Sequence, residues 1–128
     1  MSSEIRSYRD LKAWQKGMAI CLKAYAVTAA FPKHEMFGLV QQVRRCGVSI
    51  PANIAEGLGR QSRPDYIRFL RTARGSLCEL ETEITLAQQL AYVAAEKAAE
   101  FLAHLEECSR ILQGLIASLE RKEHEVRH

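Results

Sequence analysis

Apolar residues recur at alternating spacings of three and four through four long segments of this sequence. Such spacing puts the apolar side chains on one face of an α-helix, and that face must be buried against other helices. No segment alternates apolar and polar residues with period two, so the pattern predicts an all-α protein without strands. The third segment keeps its heptad spacing longest, through Tyr66, Leu70, Ala73, Leu77, Leu80, Ile84, Ala87 and Ala91.

The predicted helices cover residues of about 10–30, 35–58, 63–91 and 94–121. Because loops this short make neighbouring helices antiparallel, we predict an up-down-up-down four-helix bundle forming a single domain over residues 1–128. The residues predicted to face inward in the other three helices are Leu11, Trp14, Met18, Cys21, Tyr25 and Thr28, then Leu39, Val43, Cys46, Ile50 and Ile54, then Ala98, Phe101, Leu105, Cys108, Leu112, Leu115 and Leu119.

Proline and glycine mark the breaks between these helices. Pro32 ends the first helix, because the residue before a proline is driven out of helical geometry. Gly57 and Gly59 are expected to supply the left-handed conformations that close the second helix. Ser62 followed by Pro64 and Asp65 is typical of a capped helix start.

Pro51 lies inside the second predicted helix. A proline there removes one backbone hydrogen bond and clashes with the carbonyl four residues earlier, at a cost of about 3 kcal/mol. That earlier residue is Gly47, whose backbone adjusts most easily, and Ser49 and Asn53 can satisfy freed backbone groups. We therefore predict a kinked second helix. The kink either shapes a contact surface or follows the curvature of the bundle.

Composition restricts the class of protein. The chain has 128 residues, 48% of them hydrophobic, which is enough for one folded core and argues against disorder. No apolar run approaches the roughly 20 residues of a membrane span, so no membrane partner is expected. The first residues carry no signal-peptide pattern, and we expect a cytoplasmic protein.

The four cysteines lie roughly thirty residues apart, one near the middle of each predicted helix. This placement is compatible with a metal layer, but metal sites in bundles usually recruit His and Glu. We favour the interpretation that Cys21, Cys46, Cys78 and Cys108 are small buried residues, and we expect no metal and no cofactor.

Catalytic motifs are missing from the sequence. The only Glu-x-x-His match, at residues 125–128, lies at the end of the chain, where a di-iron site has no partners. We interpret His34, His104 and His124 as surface or loop histidines, and no Gly-rich phosphate loop occurs. The sequence therefore predicts a protein that is not an enzyme and that works by binding or scaffolding.

Positive charge is unevenly distributed, although the net charge is only +3. Arg9, just before the first helix, and Lys12, Lys16 and Lys23 within it fall within about 60° of one another on a helical wheel, and no acid occurs between residues 11 and 33. The third helix has arginines in its first half and Glu79, Glu81 and Glu83 in its second. The helix dipole favours the reverse order.

We therefore predict that these cations lack partners within their own chain. Arginine binds phosphate through two parallel hydrogen bonds, so the partner is either a polyanion or the acidic surface of a neighbouring subunit. Tyr66 and Phe69 could stack on bases but are more typical of a core. The predicted nucleic-acid-binding residues are Arg9, Lys12, Lys16, Lys23, Arg44, Arg45, Arg60, Arg63, Arg71 and Arg74.

One run of residues is distinctive. The sequence SIPANIAEG at residues 49–57 follows the arginine pair at 44–45 and precedes Arg60 and Ser62. With the stretch from Tyr8 to Trp14 and the start of the third helix, it resembles the four-helix bundle family of ribosomal-RNA intervening-sequence proteins. That family includes the accessory proteins of diversity-generating retroelements. The resemblance covers about residues 8–92.

The resemblance implies a homopentameric ring without enzymatic activity. Retroelement accessory members bind nucleic acid and contact a reverse transcriptase. The leading hypothesis is thus an oligomeric accessory protein that binds structured RNA or an RNA–DNA hybrid, with a reverse transcriptase as a further partner. The alternative is a protein–protein scaffold ring in which the arginines of the third helix meet acids of the next subunit.

Overall fold

A computed structural model describes residues 5–127, and the side chains of residues 5–126. Its four α-helices are α1 (Lys12–Thr28), α2 (Leu39–Leu58), α3 (Arg63–Gln89) and α4 (Ala95–Arg127). Two single 3₁₀ turns, Tyr8–Asp10 and Lys33–Glu35, precede α1 and α2. Residues 5–127 contain no strand, so the predicted all-α class is confirmed. Within this range, no helix is both long enough and apolar enough to cross a membrane.

Each helix packs against two neighbours. Contacts join α1 to α2, α2 to α3, α3 to α4 and α4 back to α1. Across the described residues, the backbones of diagonally opposite helices, α1 with α3 and α2 with α4, do not come close to each other. The four helices therefore surround one core, as in a four-helix bundle.

The helix starts depend on local side chains. Ser62 caps α3 by accepting a hydrogen bond from the Asp65 amide at 3.2 Å, with Pro64 in the first turn, as predicted. The second helix begins at Leu39 rather than at residue 35, because the turn around Gly38 interrupts the helical path. The Glu35 carboxylate accepts from the Leu39 amide at 3.0 Å and so serves one of the free amides of this helix start.

The far end of α4 is longer than predicted. Its helical backbone continues to Arg127, whereas the periodicity ended at residue 121. Glutamate, arginine and lysine dominate this last segment, and all three are strong helix formers. Glu123 also forms an ion pair with Arg63 of α3, with 3.7 Å between nitrogen and oxygen. The polar extension therefore has both helix propensity and a contact to another helix.

The predicted inward residues of α2 are all buried: Leu39, Val43, Cys46, Ile50 and Ile54. Those of α3 and α4 are mostly confirmed. Tyr66 and Leu115 are only partly buried, Ala91 is exposed, and Ile116 is buried beside Leu119.

The prediction for α1 is confirmed for Leu11 and Thr28, which are buried, and is displaced by one residue at the four positions between them. Its buried positions are Ala13, Gly17, Ile20, Ala24 and Thr28. Trp14, Met18 and Cys21 are only half-buried, and Tyr25 is 44% exposed. The face with the small residues turns inward because it lets α1 lie closer to α2.

Two glycines show how close the two helices lie. A Cβ atom on Gly17 would lie 3.1 Å from Ile50 Cγ2 and 3.4 Å from the Pro51 nitrogen. A Cβ atom on Gly47 would lie 3.2 Å from Ala24 Cβ. Pro51 is buried at this crossing, and α2 continues through it. The bend predicted there stays a prediction.

Candidate interaction surfaces

Helix α4 provides acids to the cations of α1. Lys16 Nζ lies 2.9 Å from Glu107 Oε1, and Lys23 Nζ lies 3.9 Å from Glu100 Oε1. The two acids are seven residues apart and therefore lie on the same face of α4. The predicted stripe on α1 thus faces a matching acidic stripe on another helix.

The same helix pairs with the arginines of α3. Arg71 forms an ion pair with Glu120, and Arg63 forms one with Glu123. Two further arginines pair locally: Arg68 with Asp65 at 3.2 Å, and Arg60 with Glu56 at 3.2 Å.

The expectation that these cations lack partners within their own chain is therefore wrong for Lys16, Lys23, Arg60, Arg63, Arg68 and Arg71. The acids that pair with α1 and with Arg63 and Arg71 are far away in sequence and belong to α4. The unfavourable charge order of α3 is also offset by α4, since Glu120 and Glu123 lie beside its cationic first half. Helical-wheel arguments compare residues within one helix and could not find these pairs.

The other predicted cations have varied surroundings. The Arg9 guanidinium lies over the Tyr8 ring at 5.8 Å from its centre. Lys12 acts electrostatically on Glu107, near the Lys16 pair. Among the residues that the structure describes, Arg45 and Arg74 form no ion pair and no side-chain hydrogen bond. Five of the ten predicted residues are thus paired with carboxylates of the same chain: Lys16, Lys23, Arg60, Arg63 and Arg71.

The Lys16–Glu107 pair provides a testable pH dependence. The Lys16 ammonium holds the pKa of Glu107 below its ordinary value of 4.5, first by its hydrogen bond and then by its charge. A lowered pKa stabilises the fold above the ordinary value, and this contribution is lost as the pH falls through the folded-state value.

We expect Lys16→Gln to lower the melting temperature modestly at pH 7 and low salt, because the pair is exposed to solvent. The difference from wild type should shrink below pH 4.5. Thermal denaturation followed by circular dichroism measures it. Lys122→Gln, at an exposed position near the end of α4, is the control with the same charge change. A Lys16→Gln effect that stays constant from pH 7 to pH 3 would contradict this account.

An apolar surface lies where α1 ends and α2 begins. Phe37 is 87% exposed, Met36 is 51% exposed, and Tyr25 of α1 lies beside them. The Arg44 guanidinium covers the Tyr25 ring at 4.7 Å from its centre. We call this region the Phe37 surface, and its residues are Tyr25, Met36, Phe37, Val40, Gln41, Arg44 and Arg45.

Hydrogen bonds fix the segment that carries this surface. The Glu35 carboxylate accepts from the Tyr92 hydroxyl at 2.8 Å as well as from the Leu39 amide. The hydrogen bond from the Leu39 amide has the largest effect and lowers the pKa of Glu35, and the bond from the Tyr92 hydroxyl lowers it further. On α1, Thr28 Oγ1 donates to the Ala24 carbonyl at 2.7 Å and accepts from Arg44 Nε at 2.8 Å. The Phe37 surface is therefore presented by an ordered framework.

Sequence periodicity missed this surface. It placed Tyr25 in the core and placed Met36 and Phe37 inside a helix. The available signal was a Met-Phe pair directly after the proline break, since large apolar residues in a connecting turn are exposed unless another element covers them.

The cysteines do not share one environment. Cys46 and Cys108 are buried, and burial is the main cause that raises the pKa of Cys46 to about 12 and that of Cys108 to about 11. Cys21 is half-buried, with its pKa raised by burial, and Cys78 is exposed. The expectation of four small buried residues is confirmed for two and wrong for Cys78. Cys46 has two glutamates beside it on α3.

Comparison with known proteins identifies the family. The sequence model of the 23S rRNA-intervening sequence protein family matches residues 9–114. The chain belongs to this family. The Phe37 surface lies inside the matched range, whereas Glu120 and Glu123, the α4 partners of α3, lie beyond it.

A solved structure agrees with this assignment. The intervening-sequence protein is similar to a protein of unknown function from the S23 ribosomal protein family of Bacteroides thetaiotaomicron, with 25% identity and a TM-score of 0.73. The match covers 81% of this chain and 97% of the other. No curated protein matches the chain.

Proposed function

We propose that this intervening-sequence protein is a non-enzymatic scaffold that assembles into a homo-oligomeric ring through the Phe37 surface. The observation that carries the proposal is the 87% exposure of Phe37 beside Met36 and Tyr25. Grouped exposed apolar residues mark protein–protein contact sites, and aromatic residues, Met and Arg are the types enriched there. The family resemblance supports a pentamer as the form of the ring.

The proposed protomer is an antiparallel up-down-up-down bundle. Its support is the order of contacts between α1 and α2. Thr28, at the end of α1, contacts Arg44 near the start of α2, while Gly17 lies against Ile50 further along α2. Residue numbers therefore decrease along α1 in the direction in which they increase along α2, as expected for two antiparallel helices. Because α1 ends and α2 begins at the Phe37 surface, this surface lies at one end of the proposed bundle.

The intrachain ion pairs favour this proposal over a polyanion ligand. Lys16, Lys23, Arg63 and Arg71 already lie beside carboxylates of α4. A phosphate backbone would have to displace these carboxylates before it could be neutralised by the same cations. An apolar contact surface requires no such exchange.

We expect Phe37→Asp to convert the wild-type oligomer into a monomer of 14.4 kDa. The substitution removes the exposed apolar ring and places a carboxylate that would have to lose its water at the subunit contact, which is unfavourable. Because Phe37 is largely exposed in the protomer, its replacement should leave the fold intact. Sedimentation velocity gives the mass, and circular dichroism checks the helix content.

Val126→Asp is the matched control, since Val126 is 72% exposed near the end of α4 and outside the Phe37 surface. It should sediment as wild type does. A wild-type protein that is monomeric at tens of micromolar, or a Phe37→Asp variant with unchanged mass, would refute the proposed interface.

Nucleic-acid binding is the second candidate, supported by the two arginines without partners among the described residues. Arg45 lies on the Phe37 surface beside Arg44 and Tyr25, a combination of cations and an aromatic ring that also binds nucleic acid. Arg74 lies on α3. In this candidate the protein is a cytoplasmic accessory factor for structured RNA or an RNA–DNA hybrid, with a reverse transcriptase as partner.

A further inference from the structure

We propose that Cys46, Glu79 and Glu83 form a binding site for one zinc ion between α2 and α3. We call these three residues the Cys46 cluster. The Cys46 sulfur and one carboxylate oxygen from each glutamate all lie within 4.8 Å of one another. Glu79 and Glu83 are four residues apart and therefore lie on the same face of α3. The site is independent of the proposed function.

A buried oxygen atom points to a missing partner in this cluster. Glu83 Oε1 is shielded from solvent and accepts no hydrogen bond from any residue that the structure describes. Buried carboxylate oxygens are almost always paired, so such an atom needs an explanation. Neither Glu79 nor Glu83 forms an ion pair with the described residues. A cation between the three side chains would supply the missing partner.

The geometry is close to that of a metal site. Tetrahedral zinc with oxygen and sulfur ligands requires separations between ligand atoms of about 3.4–3.7 Å. The three ligand atoms of the cluster already lie within 4.8 Å of one another. The Cys46 sulfur is held toward α3, since it lies 3.0 Å from the Ser76 carbonyl, to which it donates a hydrogen bond.

The donor set selects zinc among the common divalent ions. A thiolate ligand favours zinc, whereas magnesium and calcium prefer oxygen ligands alone. Three protein ligands leave one position for water, and Glu79, which is exposed, provides the route from solvent. Binding replaces the thiol proton of Cys46, so one proton leaves as the sulfur–zinc bond forms.

A divalent cation bound by Cys46 of α2 and by Glu79 and Glu83 of α3 would join the two helices.

The sequence pattern does not reveal this cluster. Cys46 and Glu79 lie on different helices, and along the chain the two glutamates stand out only as part of the acidic half of α3. Local ligand spacing cannot detect a site whose members meet only when α2 packs against α3.

Equilibrium dialysis of the untagged full-length protein with Zn²⁺ tests the site. We expect one zinc ion per chain and a higher melting temperature in its presence. Glu79→Gln and Cys46→Ala should each weaken binding at least tenfold. Co²⁺ used as a probe should show a thiolate-to-cobalt charge-transfer band that Cys46→Ala abolishes.

Cys78→Ala is the matched control, because Cys78 is an exposed thiol on the same helix as the two glutamates and outside the cluster. It should bind zinc as wild type does. Glu79→Gln decides the matter if Cys46→Ala does not fold, since an exposed side chain can be changed without disturbing the core. The proposal is overturned by any of three results: a wild type that binds no zinc at micromolar concentrations, a folded Glu79→Gln variant with unchanged affinity, or an equal loss in Cys78→Ala.

Discussion

Replacing Gly57 with alanine is expected to lower the free energy of unfolding by about 1–3 kcal/mol, the usual cost of overpacking a core. Gly57 is buried near the end of α2 where α3 begins. A Cβ atom there would lie 2.9 Å from Phe69 Cβ and 3.2 Å from the Tyr66 carbonyl oxygen. The carbonyl belongs to the backbone of α3, so the two helices would have to separate. Gly57→Leu should destabilise the protein further.

Gly75→Ala is the matched control. Gly75 lies in the middle of α3 and is exposed, and a methyl group added there would meet no atom of another helix within 4 Å. Alanine there should raise the free energy of unfolding by about 0.5–1 kcal/mol, because glycine loses more conformational entropy in a helix. Neither glycine has a positive φ, so backbone conformation does not separate the two sites. The left-handed closure expected at Gly57 and Gly59 is therefore wrong.

Urea unfolding followed by circular dichroism measures both variants. The decisive quantity is the difference between the changes in the free energy of unfolding caused by Gly57→Ala and Gly75→Ala. Helix propensity favours alanine at both sites, but of the two glycines only Gly57 faces another helix. If both substitutions stabilised the protein equally, the close approach of α2 and α3 at Gly57 would be disproved.

The nucleic-acid candidate predicts that Arg45→Glu/Arg74→Glu lowers the affinity for structured RNA about tenfold or more at about 50 mM salt. These two arginines form no ion pair and no side-chain hydrogen bond with the described residues, and are therefore free to contact phosphates. Losing two phosphate contacts should also flatten the dependence of log affinity on log salt. Filter binding between about 50 mM and 200 mM salt measures both effects.

Lys16→Glu/Arg71→Glu is the matched control because it changes the net charge by the same amount. Its cations lie beside Glu107 and Glu120. It should therefore lower the melting temperature more and the RNA affinity less than the first double variant. Equal losses of affinity would show that only net charge matters. A wild type that fails to bind RNA at the lower salt concentration would exclude this candidate and leave the scaffold.

Much of the fold could be predicted from the sequence. The period of apolar residues correctly indicated four helices, and it identified the buried residues of α2 because Val43, Ile50 and Ile54 are large and regularly spaced. The capped start of α3 at Ser62 was also evident, since the cap depends on residues three apart in sequence. The family resemblance, which covers about residues 8–92, agrees with the family match over residues 9–114.

The interaction surfaces were harder to predict. For α1 the pattern favoured the bulky residues Trp14 and Met18, whereas the helix turns the smaller Gly17 and Ala24 inward. Periodicity counts apolar residues, but the inward face is decided by which residues let two helices approach. The Phe37 surface was missed for the same reason: exposure depends on whether another element covers a residue.

The sequence by itself determined the helical class, the number of helices and most of their boundaries, because these depend on interactions between residues a few positions apart. Only the tertiary structure decided which charges are neutralised. Glu107 and Glu120 lie opposite Lys16 and Arg71 although 91 and 49 positions, respectively, separate them in the chain. Electrostatic pairing acts over a few ångströms of space, and that proximity exists only once the four helices have packed together.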